Sequence, residues 1–212
     1  MASAVEICNM ALAYLGDRAN VASIDPPEGS TEAEHCARFY PIALDTLLEA
    51  HCWNFATRRA QLAQLSITPI GWDYAYARPS SALRVFSVFS ANMQREYGLD
   101  NGVPFDPPQQ DFICESDDNG APIIFTNQAS AYAKYTIRVT DTARFSPLFV
   151  NTLAWHLASM LAGPIYKGDV GMKQAQYCAQ MMNAFLAQAK NADANQRKIP
   201  NTSQAPWINA RG

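Results

Sequence analysis

The sequence predicts an α+β fold: a helical bundle of about four helices, a small antiparallel β-sheet inserted between them, and an extended C-terminal tail. Three observations carry this reading. Apolar residues recur at helical spacing near both ends of the chain. The middle changes to strand-like alternation around an Asn119-Gly120 turn. Beyond about Asp193 all periodicity is lost. The expected organisation is a helical domain from 1–61 and 146–192, a β-rich domain over 62–145, and a tail over 193–212.

The first helix falls in SAVEICNMALAYLGD. Val5, Cys8, Met10, Leu12 and Leu15 supply apolar positions, Ala11 and Ala13 favour helix, and Gly16 stops it. A loop follows around Asp25-Pro26-Pro27. Ser30 or Thr31 caps a second helix that runs to about His51. Its apolar residues Cys36, Phe39, Tyr40, Ala43, Leu44, Leu47 and Leu48 keep the i, i+3, i+4 pattern, and Pro41 inside it implies a kink or break. Trp53-Asn54-Phe55-Ala56 then anchors the chain.

Strand character begins near Leu62. Leu83, Val85, Ser87 and Phe89 alternate with Arg84, Phe86 and Val88, which reads as a strand buried mainly on both faces. Asp111–Ser116 and Ala121–Thr126 flank the Asn-Gly turn as a hairpin. Ala133, Tyr135, Ile137 and Val139 alternate with Lys134, Thr136 and Arg138 in a further strand.

Ser146 caps the third helix, with Pro147 at its first position, and Pro164 after Gly163 is expected to end it. No charge occurs between Arg144 and Lys167. A helix apolar on one face and uncharged on the other is normally buried on both sides. One side is expected to be the chain's own core and the other to meet a neighbouring subunit. Asn151, Thr152, His156 and Ser159 interrupt the apolar run, so a buried helix is expected rather than a membrane span. The fourth helix, about Val170–Ala192, carries one small-residue stripe: Met172, Ala175, Ala179, Met182, Leu186 and Ala189.

Composition narrows the function classes. The 212 residues are 49% hydrophobic and 17% charged, a shortage of charge that fits surface covered in an assembly. The net charge of −3 argues against a dedicated nucleic-acid binder. Five scattered cysteines without CxxC spacing point to free thiols in a reducing compartment. The N-terminus lacks a basic segment followed by an apolar run, so no secretory signal is expected.

Sharper chemistry finds little support. His35-Cys36 and His51-Cys52 look like metal-ligand pairs. A helix joining them would project them to nearly opposite sides at about 100° per residue, and no metal or cofactor is expected. His156 beside Trp155 reads as a core or interface histidine rather than a general base. Glu32, Glu34, Glu49, Asp111, Glu115, Asp117 and Asp118 contain no matched acid pair. A tail-associated hydrolase acting on cell-envelope polysaccharide or peptidoglycan is therefore the second reading, and no enzyme activity is expected.

Four pieces in order resemble one family: ALAYLGD, ALDTLLEAHCWNFATRRAQL, WDYAYARPSSALRVFSV and YTIRVTDTARFSPLFVNTLAWHLASMLAGPI, followed by a long helix and a tail. They are similar to the tail tubular protein A family, the head-to-tail adaptors of short-tailed bacteriophages. The resemblance spans nearly the whole chain and rests on packing residues, since none of the pieces is a catalytic motif. It implies a structural virion protein, made in the bacterial host cytoplasm and located in the phage neck. Such adaptors form a dodecameric ring between the portal protein and a tail nozzle of the tail tubular protein B type. Double-stranded DNA passes transiently through the ring, and no membrane contact is implied. Portal and tail contacts then fall to Arg197, Lys198, Ile199, Trp207, Ile208 and Arg211, and subunit contacts to Arg138, Arg144, Trp155 and His156. Interface salt bridges are expected for Arg138 and Arg144, because DNA in transit should not be gripped by many cations.

Overall fold

A computed structural model describes residues 2–18, 20–67, 70–90, 98–100, 103–105, 110–117 and 119–196. The fold is α+β, and the chain divides into two compact units. Unit 1 combines Met1–Ala56 with Ile137–Asn195 and holds the helices. Unit 2 contains Thr57–Thr136 and holds the sheets.

In unit 1, α1 (Ala4–Tyr14) begins at a complete capping box. The Ser3 hydroxyl accepts from the Glu6 N–H at 3.1 Å, and the Glu6 carboxylate accepts from the Ser3 N–H at 2.6 Å. That donation holds the Glu6 carboxyl below its usual range. Gly16 at φ +80° turns the chain away, as its lack of a Cβ allows. Ser30 is the cap of α2 (Thr31–Ala50), and its hydroxyl accepts from the Ala33 N–H at 3.2 Å. Pro41 lies inside this helix without ending it.

The aromatic anchor after α2 is in place. Trp53 is 1% exposed and its indole N–H donates to the Leu47 carbonyl at 2.7 Å. Its ring meets Phe55 and Phe149, and Phe145 closes the cluster, with centroids 4.8–6.1 Å apart.

α3 (Pro147–Tyr166) is the centre of unit 1 and packs against α1, α2 and α4 (Gly168–Ala194). Ser146 caps it as expected, its hydroxyl accepting from the Phe149 N–H at 3.2 Å. One expectation needs correction. Pro164 does not end α3; the helix runs on to Tyr166 and stops where Lys167 and Gly168 take φ +51° and +58°. Proline forfeits one N–H and crowds the preceding turn, but the reversal comes from the left-handed pair. One part of α3 is covered by the chain itself: Phe149, Val150, Thr152, Leu153, Ala154, Leu157, Ala158, Leu161 and Ala162 are buried, with α1, α2 and α4 packed against the helix. Asn151, Trp155, His156, Ser159 and Met160 are only half-buried. This helix is long and apolar enough to cross a membrane by composition, and half of it is buried inside the protein.

α4 differs from its expected stripe. Gly171, Cys178, Ala189 and Asp193 are its buried residues, while Met172 is 61% exposed. Ala189 of the expected stripe is buried and Ala175, Ala179, Met182 and Leu186 are half-buried, whereas the inward place expected of Met172 is taken by Gly171. A Cβ there would meet the Ala162 carbonyl at 3.0 Å and the Gly163 Cα at 3.4 Å. Only glycine lets the two backbones come this close without adjustment.

Unit 2 contains β1 (Thr57–Gln61), β2 (Ala63–Gln64), β3 (Tyr74–Ala77), β4 (Ala82–Ser90), β5 (Gly98–Asp100), β6 (Val103–Phe105), β7 (Phe112–Ser116), β8 (Pro122–Thr126) and β9 (Ala131–Ile137). They form sheets ordered β1-β9-β4, β2-β3-β8-β7 and β5-β6. Strand structure thus starts at Thr57, ahead of the expected boundary near Leu62, and unit 2 ends at Thr136 rather than at 145.

The β7–β8 hairpin is antiparallel with Ser116 opposite Pro122. Gly120 takes φ +79°, and the Asp117 carboxylate accepts from the Asn119 and Ala121 N–H groups at 2.9 and 2.6 Å. This is the Asn-Gly turn read from the sequence, with Asp117 as its internal acceptor. The core here includes Leu62, Ala75, Tyr76, Val85, Val88, Ile123, Ile124, Ala131, Ala133 and Tyr135. β4 buries only Val85 and Val88, so it is less covered than its composition suggests.

Candidate functional site

The residues with the most developed polar geometry sit where α4 ends. Asp193 is 7% exposed, although it occupies the last turn of a long polar helix. Both its carboxylate oxygens accept from the Asn54 N–H, at 3.2 and 3.1 Å, and the Asn54 amide donates back to the Asp193 carbonyl at 2.7 Å. His51 Nε2 lies 3.4 Å from the same carboxylate, and the His51 ring stands edge-on to Trp53 at 4.8 Å. These bonds, all donated by Asn54 and accepted by Asp193, clasp the end of α4 to the segment after α2. A buried carboxylate survives only with such donors. The clasp fixes where the chain leaves helix α4, immediately before the terminal segment.

Sequence inspection does not reveal this clasp. Asp193 looks like an ordinary polar residue near a helix end, and Asn54 is masked by the aromatics on either side. The available signal is that Asp193 falls one turn beyond Ala189 on the same face.

The candidate interface cations are used inside unit 1. Arg138 Nε lies 2.8 Å from the Asp45 carboxylate, with both side chains partly exposed. Arg144 donates to the Phe55 carbonyl. Arg138 thus has an intrachain ion pair and Arg144 an intrachain carbonyl. The surface pair Arg138–Asp45 contributes at most about 1 kcal/mol.

Trp155 is half-buried and sandwiched. Its ring stacks on Tyr14 at 4.0 Å with an interplanar angle of 11°, and Tyr177 stands edge-on at 6.0 Å. The Tyr14 hydroxyl donates to the Asn151 side chain at 3.1 Å. Neighbouring His156 has both ring nitrogens buried and without a hydrogen-bond partner among the described residues. Burial holds its imidazole below the ordinary histidine range.

Apolar surface remains at the start of α4. Val170 is 65% exposed, Met172 61% and Tyr177 50%, with Tyr166 at the preceding helix end. An open depression of about 590 Å³ runs along α1, lined by Ala2, Glu6, Asn9, Met10 and Ala13.

Among the described residues, no group of three or more His, Cys, Asp or Glu side chains could hold a metal ion. The two His-Cys pairs have different surroundings: Cys36 is fully buried, whereas His51 lies beside Asp193. Glu32 and Glu34 occupy the first turn of α2, where they favour the helix dipole, and Asp117 is consumed by its turn. Arg197, Lys198, Ile199, Trp207, Ile208, Arg211 and Asp118 lie outside the described residues. No family model and no curated protein matches this chain.

Proposed function

We propose that this chain is a structural head-to-tail adaptor of a short-tailed phage, forming a ring, dodecameric by the resemblance, between portal and tail nozzle, without catalysis. The observation that carries the reading is the order of parts. A helical unit is interrupted between α2 and α3 by a sheet unit, in register with the four resembling segments. Three features support a role played through surfaces. The apolar start of α4, around Val170, Met172 and Tyr177, offers area that a neighbouring subunit would cover. Arg138 and Arg144 brace the helical unit beside that function, and the exposed parts of Trp155 and His156 extend the same candidate interface. The Asp193 clasp gives the terminal segment a fixed origin, from which Arg197, Lys198, Ile199, Trp207, Ile208 and Arg211 would reach the portal. Many modest tail contacts acting together would hold a ring firmly. DNA passes through the ring without being bound by it.

Mixing the purified chain with the portal ring from the same source and imaging the particles by electron microscopy tests the proposal. Closed rings stacked coaxially on the portal are expected. Monomers that never dock on an intact portal would overturn it. A chain truncated after Asn195 should keep its fold by circular dichroism and fail to dock; retained docking would remove the terminal segment from the mechanism.

A further inference from the structure

Helix α1 carries a single charged residue, Glu6, between Ala4 and Tyr14. Its inner face buries Ile7, Cys8, Ala11 and Leu12. Its other face holds the depression lined by Ala2, Glu6, Asn9, Met10 and Ala13. Ala2 and Met10 are half-buried and Ala13 is exposed. Small residues at both ends of this face let a second helix approach closely. Glu6 lies between them, exposed, with one carboxylate oxygen engaged by the Ser3 N–H.

Helix α4 offers the converse shape. Val170, Lys173 and Tyr177 follow one another at spacings of three and four, so they form one ridge along the helix. All three are exposed. Lys173 makes no ion pair among the described residues. Lys167 and Lys173, set against Asp169, leave this end of α4 net positive. The depression thus has an acid in its middle and the ridge a base in its middle, each with apolar residues on either side.

We propose that the α4 ridge of one copy packs into the α1 depression of the next copy, head to tail, with Lys173 meeting Glu6. The inference rests on the adaptor reading and names the contact that would close its ring. Charge decides the occupant. Ridge against ridge would set Lys173 facing Lys173, and depression against depression would set Glu6 facing Glu6; like charges held face to face are unfavourable. Ridge against depression pairs opposite charges. Each copy then presents one surface that inserts and a different one that receives, so the contact is heterologous and propagates until rotation closes a ring. Burial of Val170 and Tyr177 against Ala2, Met10 and Ala13 drives the contact. The ion pair fixes the register, because an exposed pair is weak by itself.

The test uses the chain docked on the portal ring, assembled from equal parts of isotopically labelled and unlabelled protein. A carbodiimide joins a carboxylate to an amine in contact with it and releases one water. A ladder of covalent oligomers extending beyond the dimer is expected, with peptides containing Glu6 joined to peptides containing Lys173 as mixed-label pairs in mass spectrometry. Docked rings without that link would overturn the contact and leave the adaptor reading standing. So would links confined to one label, which lie within a single copy, or a ladder that stops at the dimer. Absence of docked rings would remove the adaptor reading and this contact with it. Val170→Asp places an acid on the ridge, and Ala13→Trp fills the depression. Both positions are exposed, so each variant should keep its circular dichroism spectrum and lose the ladder. An undiminished ladder in either variant would overturn the proposal.

Discussion

Helices α3 and α4 lie side by side and solve opposite problems. α3 buries nine of its 20 residues and carries no charge, while α4 buries four of its 27. The first is held by being surrounded; the second is held at a few points and leaves apolar surface outside. Absence of charge therefore marks the helix that the chain buries most. The surface left for other molecules lies on the more polar helix, where Val170, Met172 and Tyr177 interrupt an otherwise hydrophilic face.

The largest effect should come from α3. Leu157→Ala removes a fully buried side chain from its middle and should cost about 2–5 kcal/mol in denaturant unfolding. A loss below about 1 kcal/mol would mean that α3 is not the centre of the unit.

Two substitutions probe how α4 is held. Gly171→Leu pushes a side chain against the Ala162 carbonyl and should cost about 1–3 kcal/mol, with protection from hydrogen exchange lost first along α4. Asp193→Ala leaves the Asn54 N–H without its acceptor and should cost about 1–3 kcal/mol. Its readout is faster amide exchange at Asn54 and the last turn of α4, with α1 unchanged.

A smaller, pH-dependent effect separates the two faces of α3. His156 is held below its ordinary value by burial, so the unfolded chain takes up a proton that the folded chain resists. Stability from this group is complete above about pH 6.5 and falls as pH drops below it. His156→Leu should narrow the difference between denaturation midpoints measured at about pH 8 and pH 5.5. An unchanged difference would show that the imidazole is solvated.

The smallest stability effect belongs to the α4 surface. Met172→Lys should shift unfolding by no more than about 0.5 kcal/mol, yet reduce ring formation in sedimentation experiments. Undiminished ring assembly would move the candidate interface away from this helix.

Local signals were readable from residues close in sequence. Ser30 and Ser146 each cap the helix that follows them, and Gly120 turns the hairpin, because these devices act within four residues. The α2 core face was also legible, since Cys36, Tyr40, Ala43, Leu44, Leu47 and Leu48 repeat at the helical period. Signals spread over two distant segments were not. The stop of α3 was misplaced at Pro164 because a proline near a helix end permits another turn when a left-handed pair follows. At the start of α4 the buried residue is Gly171 and not Met172, because nothing in the stripe hints that a glycine approaches the Ala162 carbonyl there; Ala189 near the other end is buried as expected.

By itself, the sequence determined the α+β class, the helix starts, the β7–β8 turn and the burial of the uncharged helix, all consequences of periodicity, capping and hydrophobicity along one stretch of chain. Only the tertiary structure decided that α1, α2 and α4 pack against α3 and that Asp193 is clasped by Asn54 and His51. Those pairings join residues far apart in the chain. Their energies come from contact and desolvation, which exist only once the helices have packed.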